Sequence, residues 1–128
     1  VLADGDDTND PVVDAARAIL DGHIVLSRQQ SLLGIYPAVD VSNSISRVMN
    51  DITDEKQQKA AKEFKKYVSL YLENRDLLLM GGYSEGQDAE LDNAIAIWPR
   101  LVEHITQKEN LGARYNESRE ALIKLLGV

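Results

Sequence analysis

The second half of the chain carries apolar residues at helical spacing, and this pattern limits the possible fold more than any other feature. From residue 51 onward, apolar side chains recur every three or four residues, which is the period of an amphipathic α-helix. We therefore expect residues 51–128 to form a helical domain. The first apolar stripe consists of Phe64, Tyr67, Val68, Tyr71, Leu72, Leu78 and Leu79.

Capping residues and helix breakers divide this half into three helices. Side chains that accept a hydrogen bond from a free backbone N–H favour a helix start, whereas glycine and proline interrupt the helical hydrogen-bond pattern. At the proline we expect the second helix to kink or restart. The expected caps are Thr53, Asp88 and Asn116, and the expected interruptions are Gly81-Gly82, Pro99 and Gly112.

The first fifty residues have a mixed pattern. Asp10-Pro11 favours a helix start, and Gly22 suits the left-handed position just past the end of that helix. Residues 23–26 (HIVL) are typical of a strand buried on both faces in a parallel sheet, and residues 39–41 offer another extended piece. A parallel sheet needs more strands than this segment contains, so we expect the chain to be the C-terminal portion of a longer protein.

The composition excludes several classes of protein. Hydrophobic residues make up 44% of the chain and charged residues 27%, as in an ordinary globular domain. A net charge of −7 argues against nucleic-acid binding, because contact with a phosphate backbone needs clustered Lys and Arg. The sequence has no cysteine for disulfides or thiolate metal sites, and no apolar run approaches the ~18 residues that a membrane span needs.

The most specific motif is AILDGHIVLSRQQSLLGIYPAVDVSNSISRVM at residues 18–49. It resembles the segment that follows the nucleotide-binding core in the catalytic subunits of hexameric rotary-type ATPases. Within that superfamily, ILDGHIVLSR and SISR are most similar to the export ATPases of bacterial flagella and type III secretion systems. The resemblance implies a mainly α fold, in which residues 1–50 end a RecA-like α/β ATPase core with its last short strands. Residues 51–128 would then be the C-terminal helical domain.

The resemblance also implies the activity of the whole protein. Members of this family hydrolyse ATP with Mg²⁺ as homohexamers to energise protein export, in the cytoplasm and peripherally associated with the inner membrane. The implied partners are a central coiled-coil stalk protein, a peripheral stator or regulator, the membrane export gate, and export chaperones with their substrates. The sequence contains no G-x-x-x-x-G-K-[ST] phosphate loop. We therefore expect the phosphate loop to lie upstream and these 128 residues to be inactive alone.

Arg47, which ends the motif Ser-Ile-Ser-Arg, is the candidate catalytic residue. The resemblance implies that it is an arginine finger, which one subunit inserts into the ATP site of its neighbour. A planar cation stabilises the negative charge that spreads over the γ-phosphoryl oxygens in the transition state. The alternative is an arginine that forms a salt bridge with Asp40 or Asp51.

Two tyrosines are candidates for the nucleotide-binding site. The resemblance implies that Tyr36, in GIYPAVD, packs on the adenine ring, and that Tyr115 is a second aromatic residue near the base. Pro37 restricts the backbone directly after Tyr36 and so limits where its ring can point. The alternative for Tyr36 is an ordinary core tyrosine.

Two acidic segments are candidates for binding the stalk. The resemblance implies that the loop before the first helix and the connection between the two long helices both face the central shaft. In each case the alternative is a plain solvated connection. The candidate partner-binding residues are Asp6, Asp7 and Asp10 in the first segment and Glu85, Asp88 and Glu90 in the second.

Two other classes of protein stay open at this point. The chain could belong to the catalytic subunit of a rotary proton-translocating ATP synthase, or it could be a non-catalytic helical adaptor that binds no nucleotide. A phosphate loop upstream would exclude the adaptor, and the motifs around that loop would separate the export type from the synthase type.

Overall fold

The structure is a computed structural model that describes Gly5, residues 9–107 and residues 111–128. It is mainly helical, as the sequence predicts, and within these residues it contains one two-stranded sheet. The three long helices, α4 to α6, pack on one another. In chain order the elements are α1 (Pro11–Ile19), β1 (Gly22–His23), α2 (Arg28–Leu32), β2 (Ile45–Ser46), α3 (Met49–Ile52), α4 (Glu55–Leu79), α5 (Ala89–Ile105) and α6 (Tyr115–Leu126).

Helix α1 begins where the sequence predicts. The carboxylate of Asp10 accepts hydrogen bonds from the backbone N–H groups of Val12 and Val13, at 2.8 and 3.4 Å. The helix is closed by Leu20, whose backbone is extended. The prediction of a left-handed glycine after this helix is wrong, because the chain leaves the helix through Leu20 and Gly22 already belongs to β1.

The strand predicted at residues 23–26 is shorter and pairs differently. β1 pairs antiparallel with β2, and an isolated antiparallel bridge joins Leu26 to Val39. The parallel, doubly buried strand is wrong for the part of the chain that the structure describes, since the partner is a nearby segment of the same chain. Consistent with this, the side chains of Ile24 and Leu26 are each 75% exposed.

Helix α4 is capped by Asp54, one residue later than the predicted cap Thr53. The carboxylate of Asp54 accepts from the N–H of Gln57 at 2.8 Å. Thr53, the predicted cap, instead donates its hydroxyl to the carbonyl of Met49 in α3. The predicted end of α4 is confirmed, because Gly81 has φ +69°, a left-handed conformation that glycine adopts at little cost.

Helix α5 is capped by Asp88 as expected and continues through Pro99. Of the two outcomes predicted at this proline, the restart is not found, and the kink stays a prediction. Helix α6 follows Arg114, whose N–H donates to the carboxylate of Glu117 at 3.4 Å. The cap predicted at Asn116 is therefore wrong, because the returning Glu117 side chain fixes the start two residues earlier.

The hydrophobic core lies between α4, α5 and α6. Phe64 and Val68 of α4 and Leu101 of α5 are buried at its centre. Tyr71 and Trp98 stack beside them, with ring centroids 4.0 Å apart and planes 8° apart. The two helices that the periodicity predicts most strongly thus form the centre of the domain.

The segment just before β2 lies against α4. Val41 packs on the hydrophobic core. The hydroxyls of Ser42 and Ser69 are 3.1 Å apart, and the ammonium of Lys65 donates to the carbonyl of Ser44 at 2.8 Å. The residues just before β2 are therefore attached to the helical domain by one apolar contact and two polar ones.

Candidate functional site

Arg47 directly follows β2, and both its backbone and its side chain are held by the α1–β1 segment. Its N–H donates to the carbonyl of Asp21 at 2.9 Å. Its guanidinium nitrogen Nη2 donates to the carbonyls of Arg17 and Ala18, at 3.2 and 3.3 Å. These carbonyls belong to the last turn of α1, where they have no partner within the helix and carry the negative end of the helix dipole.

The ion pairs of the structure show whether Arg47 forms the salt bridge that was the alternative to a finger. Among the described residues, the side-chain ion pairs are Lys66–Glu90 and Arg119–Asp54. The carboxylate of Asp40 instead accepts from the backbone and side-chain nitrogens of Asn43. The alternative salt bridge of Arg47 to Asp40 or Asp51 is therefore not found in this part of the chain.

Tyr36 is exposed and held at both ends. It is 53% exposed, so it does not belong to the hydrophobic core of the described residues. Its hydroxyl lies 2.9 Å from the hydroxyl of Ser31 in α2, and its carbonyl accepts from the N–H of Gln107 at 2.7 Å. The peptide bond to Pro37 is cis. The ring is thus fixed in place while a large part of its surface stays accessible.

Tyr115 lies on a different element. It is the first residue of α6, is 64% exposed, and exchanges hydrogen bonds with the side-chain amide of Gln57 in α4. Within residues 9–107 and 111–128, no hydrogen bond or ring stacking joins Tyr115 to Tyr36. The structure therefore does not join the two predicted adenine-binding residues directly.

The acidic residues proposed for the stalk fall into three groups. Asp6 and Asp7 lie outside the described residues. Asp10 and Asp88 cap α1 and α5, and one oxygen of each carboxylate accepts from backbone N–H groups.

The other two acidic candidates are exposed. Glu90 pairs with Lys66 at 2.7 Å, and this hydrogen bond raises the pKa of the lysine. Glu85 lies on the exposed connection between α4 and α5. The prediction that these residues bind a partner stays a prediction.

Asp92, which the sequence analysis missed, organises the connection between α4 and α5. Its carboxylate accepts from the hydroxyl of Tyr83 at 2.5 Å and from the N–H of Gly86 at 3.0 Å. Partial burial and then the hydrogen bond to Asp92 raise the pKa of Tyr83. The spacing of Tyr83 and Asp92 across a glycine-containing loop was the only available signal, and it is a weak one.

The described part of the chain contains neither a metal-binding cluster nor a membrane-spanning helix. No group of three or more His, Cys, Asp or Glu side chains there could hold a metal ion. No helix there is long and apolar enough to cross a membrane. The nucleotide-related candidates are therefore Arg47, Tyr36 and Tyr115.

Two protein-family models match the chain. One, described as the T3SS EscN ATPase C-terminal domain, covers residues 53–124, which is more than half of the chain. The chain belongs to this family. The other, described as the nucleotide-binding domain of the ATP synthase alpha/beta family, covers residues 1–46. The predicted family is thereby confirmed.

Curated relatives are members of the same ATPase group. The flagellum-specific ATP synthase of Buchnera aphidicola is 49% identical over 125 residues, which are 98% of this chain and 27% of that protein. The flagellum-specific ATP synthase of Salmonella typhimurium is 45% identical over 122 residues, which are 95% of this chain and 27% of that protein. The chain thus spans 27% of the length of these relatives.

Solved structures give the same fold. The assembled ATPase EscN of the enteropathogenic E. coli type III secretion system superposes with a TM-score of 0.91 at 37% identity, covering 98% of this chain and 31% of that one. EscN in complex with its central stalk EscO superposes with a TM-score of 0.83 at 36% identity, covering 91% and 29%. The predicted fold class, a C-terminal helical domain joined to the end of a RecA-like core, is confirmed.

Proposed function

We propose that the chain is the C-terminal part of an ATPase that hydrolyses ATP to energise protein export through a flagellar or type III secretion apparatus. The identity to flagellum-specific ATP synthases and the close superposition on EscN support this proposal. The division of the chain at residue 50 into the end of the core and a helical domain is part of it.

Within that ATPase, Arg47 is the arginine finger that acts on the neighbouring subunit. This assignment is supported by the contacts of the Arg47 guanidinium. Arg47 is exposed, and its guanidinium binds two main-chain carbonyls instead of a carboxylate. A guanidinium has five N–H donors, and these bonds use only Nη2. No carboxylate pairs with this guanidinium among the described residues, so its remaining N–H donors and its charge are available to the phosphoryl oxygens of a nucleotide bound by another subunit.

The proposed cofactors are ATP and Mg²⁺. The exposed ring of Tyr36 fits stacking on the adenine, and Tyr115 is the second candidate for contact with the base. The sequence contains no phosphate loop, so we assign the binding of Mg²⁺ and the phosphates mainly to residues outside this chain. When bound, Mg²⁺ neutralises charge on the transferred phosphoryl group.

The proposed assembly is a homohexamer, in which each ATP site has a neighbouring subunit beside it that can supply the finger. EscN has been solved assembled and in complex with its central stalk, which supports a coiled-coil stalk partner here as well. Of the acidic candidates for that contact, Glu85 and Glu90 are exposed on the α4–α5 side of the chain. The remaining proposed partners are a stator or regulator, the export gate, and chaperones with their substrates. The proposed location is the cytoplasmic side of the inner membrane.

A second candidate function is that of a catalytic subunit in a rotary proton-translocating ATP synthase. The match of residues 1–46 to the ATP synthase alpha/beta family favours it. The match of residues 53–124 to the EscN C-terminal domain favours export instead, and we prefer export because this match covers more of the chain.

The test is the turnover of the full-length ATPase with Arg47→Ala. Loss of a finger lowers kcat by roughly 10³- to 10⁵-fold, while nucleotide affinity changes little because the charge acts on the transition state. Arg47→Lys should also fail, because an ammonium is a point charge without the planar fork of the guanidinium. Arg100→Ala, a change of an exposed arginine on α5, is the control and should keep full turnover. Near-normal kcat in Arg47→Ala would contradict the assignment.

A further inference from the structure

Gly22 of β1 lies close to the backbone of β2, the strand that directly precedes Arg47. In the β1–β2 register, Gly22 pairs with Ser46, the residue directly before Arg47. A β-carbon built on Gly22 would lie 2.7 Å from the carbonyl oxygen of Ile45 and 3.3 Å from Cα of Ser46. A side chain at this position would therefore collide with backbone atoms, which cannot rotate away.

The requirement for glycine here is one of space. The backbone of Gly22 is part of a strand and is not among the glycines with positive φ. Any L-residue could adopt its conformation, so alanine would be excluded only by the contact with β2. A methyl group would push the two strands apart until the 2.7 Å contact with the Ile45 oxygen was relieved.

Such a displacement would reach Arg47 directly. The N–H of Arg47 and its guanidinium both bind backbone carbonyls in the segment that leads into Gly22, namely those of Asp21, Arg17 and Ala18. The position of this cation is therefore defined by how closely β2 approaches β1. Separation at Gly22 would move Arg47 relative to all three acceptors at once.

We propose that Gly22 is a positioning residue for the Arg47 guanidinium: its missing side chain lets β2 approach β1 closely enough to set the finger. This inference rests on the proposed role of Arg47. A misplacement of about 1 Å by a change away from the chemistry can lower turnover on the order of 100-fold. The contribution of Gly22 therefore concerns kcat, not the binding of nucleotide.

The experiment compares Gly22→Ala, Arg47→Ala, the double variant and Gly112→Ala in the full-length ATPase. Gly112 is the matched control, because a β-carbon there meets no atom within 4 Å and its φ is not positive. Turnover, KM for ATP, the number of nucleotides bound per assembly and the oligomeric state are measured for each. The nucleotide count matters because it separates a slow site from a population of misfolded sites.

The expected result is that Gly22→Ala lowers kcat on the order of 100-fold, with the full number of nucleotide sites and a KM within about twofold of the starting protein. Gly112→Ala should change neither parameter. The double variant should be no slower than Arg47→Ala alone, since a residue that acts only through the finger has no effect once the finger is removed.

Three results would overturn the inference. These are near-normal kcat in Gly22→Ala, a further loss in the double variant, and loss of nucleotide sites or of the assembly, which would make Gly22 a support of the fold. The turnover of Arg47→Ala shows whether only the positioning role of Gly22 is wrong or the finger role of Arg47 is wrong as well. If Arg47→Ala turns over normally the finger itself is wrong, and if it is inactive while Gly22→Ala is normal only the positioning role is wrong.

Discussion

The helical domain and the segment of residues 11–52 are stabilised in different ways. In the helical domain, Phe64, Val68 and Leu101 are buried among α4, α5 and α6, so apolar burial dominates. In the segment, Ile35 is the buried apolar residue among those described, while large apolar side chains such as Ile24 and Leu26 stay exposed. Single hydrogen bonds and one close strand contact set its geometry. Changes in the helical domain should therefore affect stability, whereas changes in the segment should affect local order and turnover.

The largest effect on stability should come from Leu101→Ala. Leu101 is fully buried, and removing a buried leucine side chain costs about 2 to 5 kcal/mol of unfolding free energy through lost burial and the cavity that remains. Leu79→Ala, at a side chain that is 71% exposed on α4, is the control and should change the value by less than about 0.5 kcal/mol. Urea unfolding of the chain measures both, and equal costs would contradict the proposed core.

A smaller, local effect should follow from Ser44→Ala. The hydroxyl of Ser44 accepts from the N–H of Val25 at 2.9 Å and donates to the carbonyl of Asp40 at 2.6 Å. Loss of these bonds should weaken local order by about 1 kcal/mol and make the Val25 amide exchange hydrogen several-fold faster.

Ser46→Ala provides a matched control two residues along the same motif. Ser46 is exposed on β2, so this change should leave the exchange of the Val25 amide as it is. Amide hydrogen exchange followed by NMR compares the two variants. An unchanged Val25 amide in Ser44→Ala would mean that apolar contacts, not these hydrogen bonds, hold the segment.

The smallest effect should be the pH dependence that His104 adds to the helical domain. His104 is half-buried on α5, its ring packs edge-on to Phe64 at 6.3 Å, and burial lowers its pKa below 6.5. Below pH 6.5, His104 binds a proton more readily in the unfolded chain than in the folded chain. The free energy of unfolding therefore falls as the pH decreases. This loss continues until the pH reaches the lowered pKa.

Unfolding of His104→Gln at several pH values isolates this contribution. The free energy of unfolding of the original chain, minus that of the variant, should decrease from pH 7.5 toward about pH 5.5. A difference that stays constant over this interval would mean that the histidine is not buried in solution as it is in the structure.

The contrast between the helical domain and residues 11–52 also explains how much of the fold could be predicted. The helices α4 and α5 follow from local signals, namely apolar spacing, the cap of α5 at Asp88 and the glycine at the end of α4, and these signals survive in the structure. The antiparallel pairing of β1 with β2 joins residues more than twenty positions apart, and no local pattern encodes it. The errors at Thr53 and Asn116 were of one or two residues, because neighbouring side chains competed for the same capping role.

For the candidate site, the sequence names residues but not their geometry, and the roles of these residues stay predictions. The motif singled out Arg47 and Tyr36, and the resemblance gave them roles. The carbonyls of Arg17 and Ala18 that hold Arg47 could not be predicted, because backbone groups carry no sequence signature. Gly22 was noticed for the wrong reason, since its spatial requirement depends on a strand that arrives from elsewhere in the chain.

The most direct test of the central claim, that Arg47 acts on the neighbouring subunit, is a complementation assay in mixed assemblies. Full-length Arg47→Ala subunits are mixed with subunits whose phosphate-loop lysine is replaced, and ATP turnover is measured against each variant alone. A finger supplied by a neighbour predicts that the mixture recovers turnover, because an intact phosphate site then meets an intact Arg47 from the other subunit. A mixture no more active than its two components would contradict the claim, since Arg47 would then serve the site of its own subunit or none.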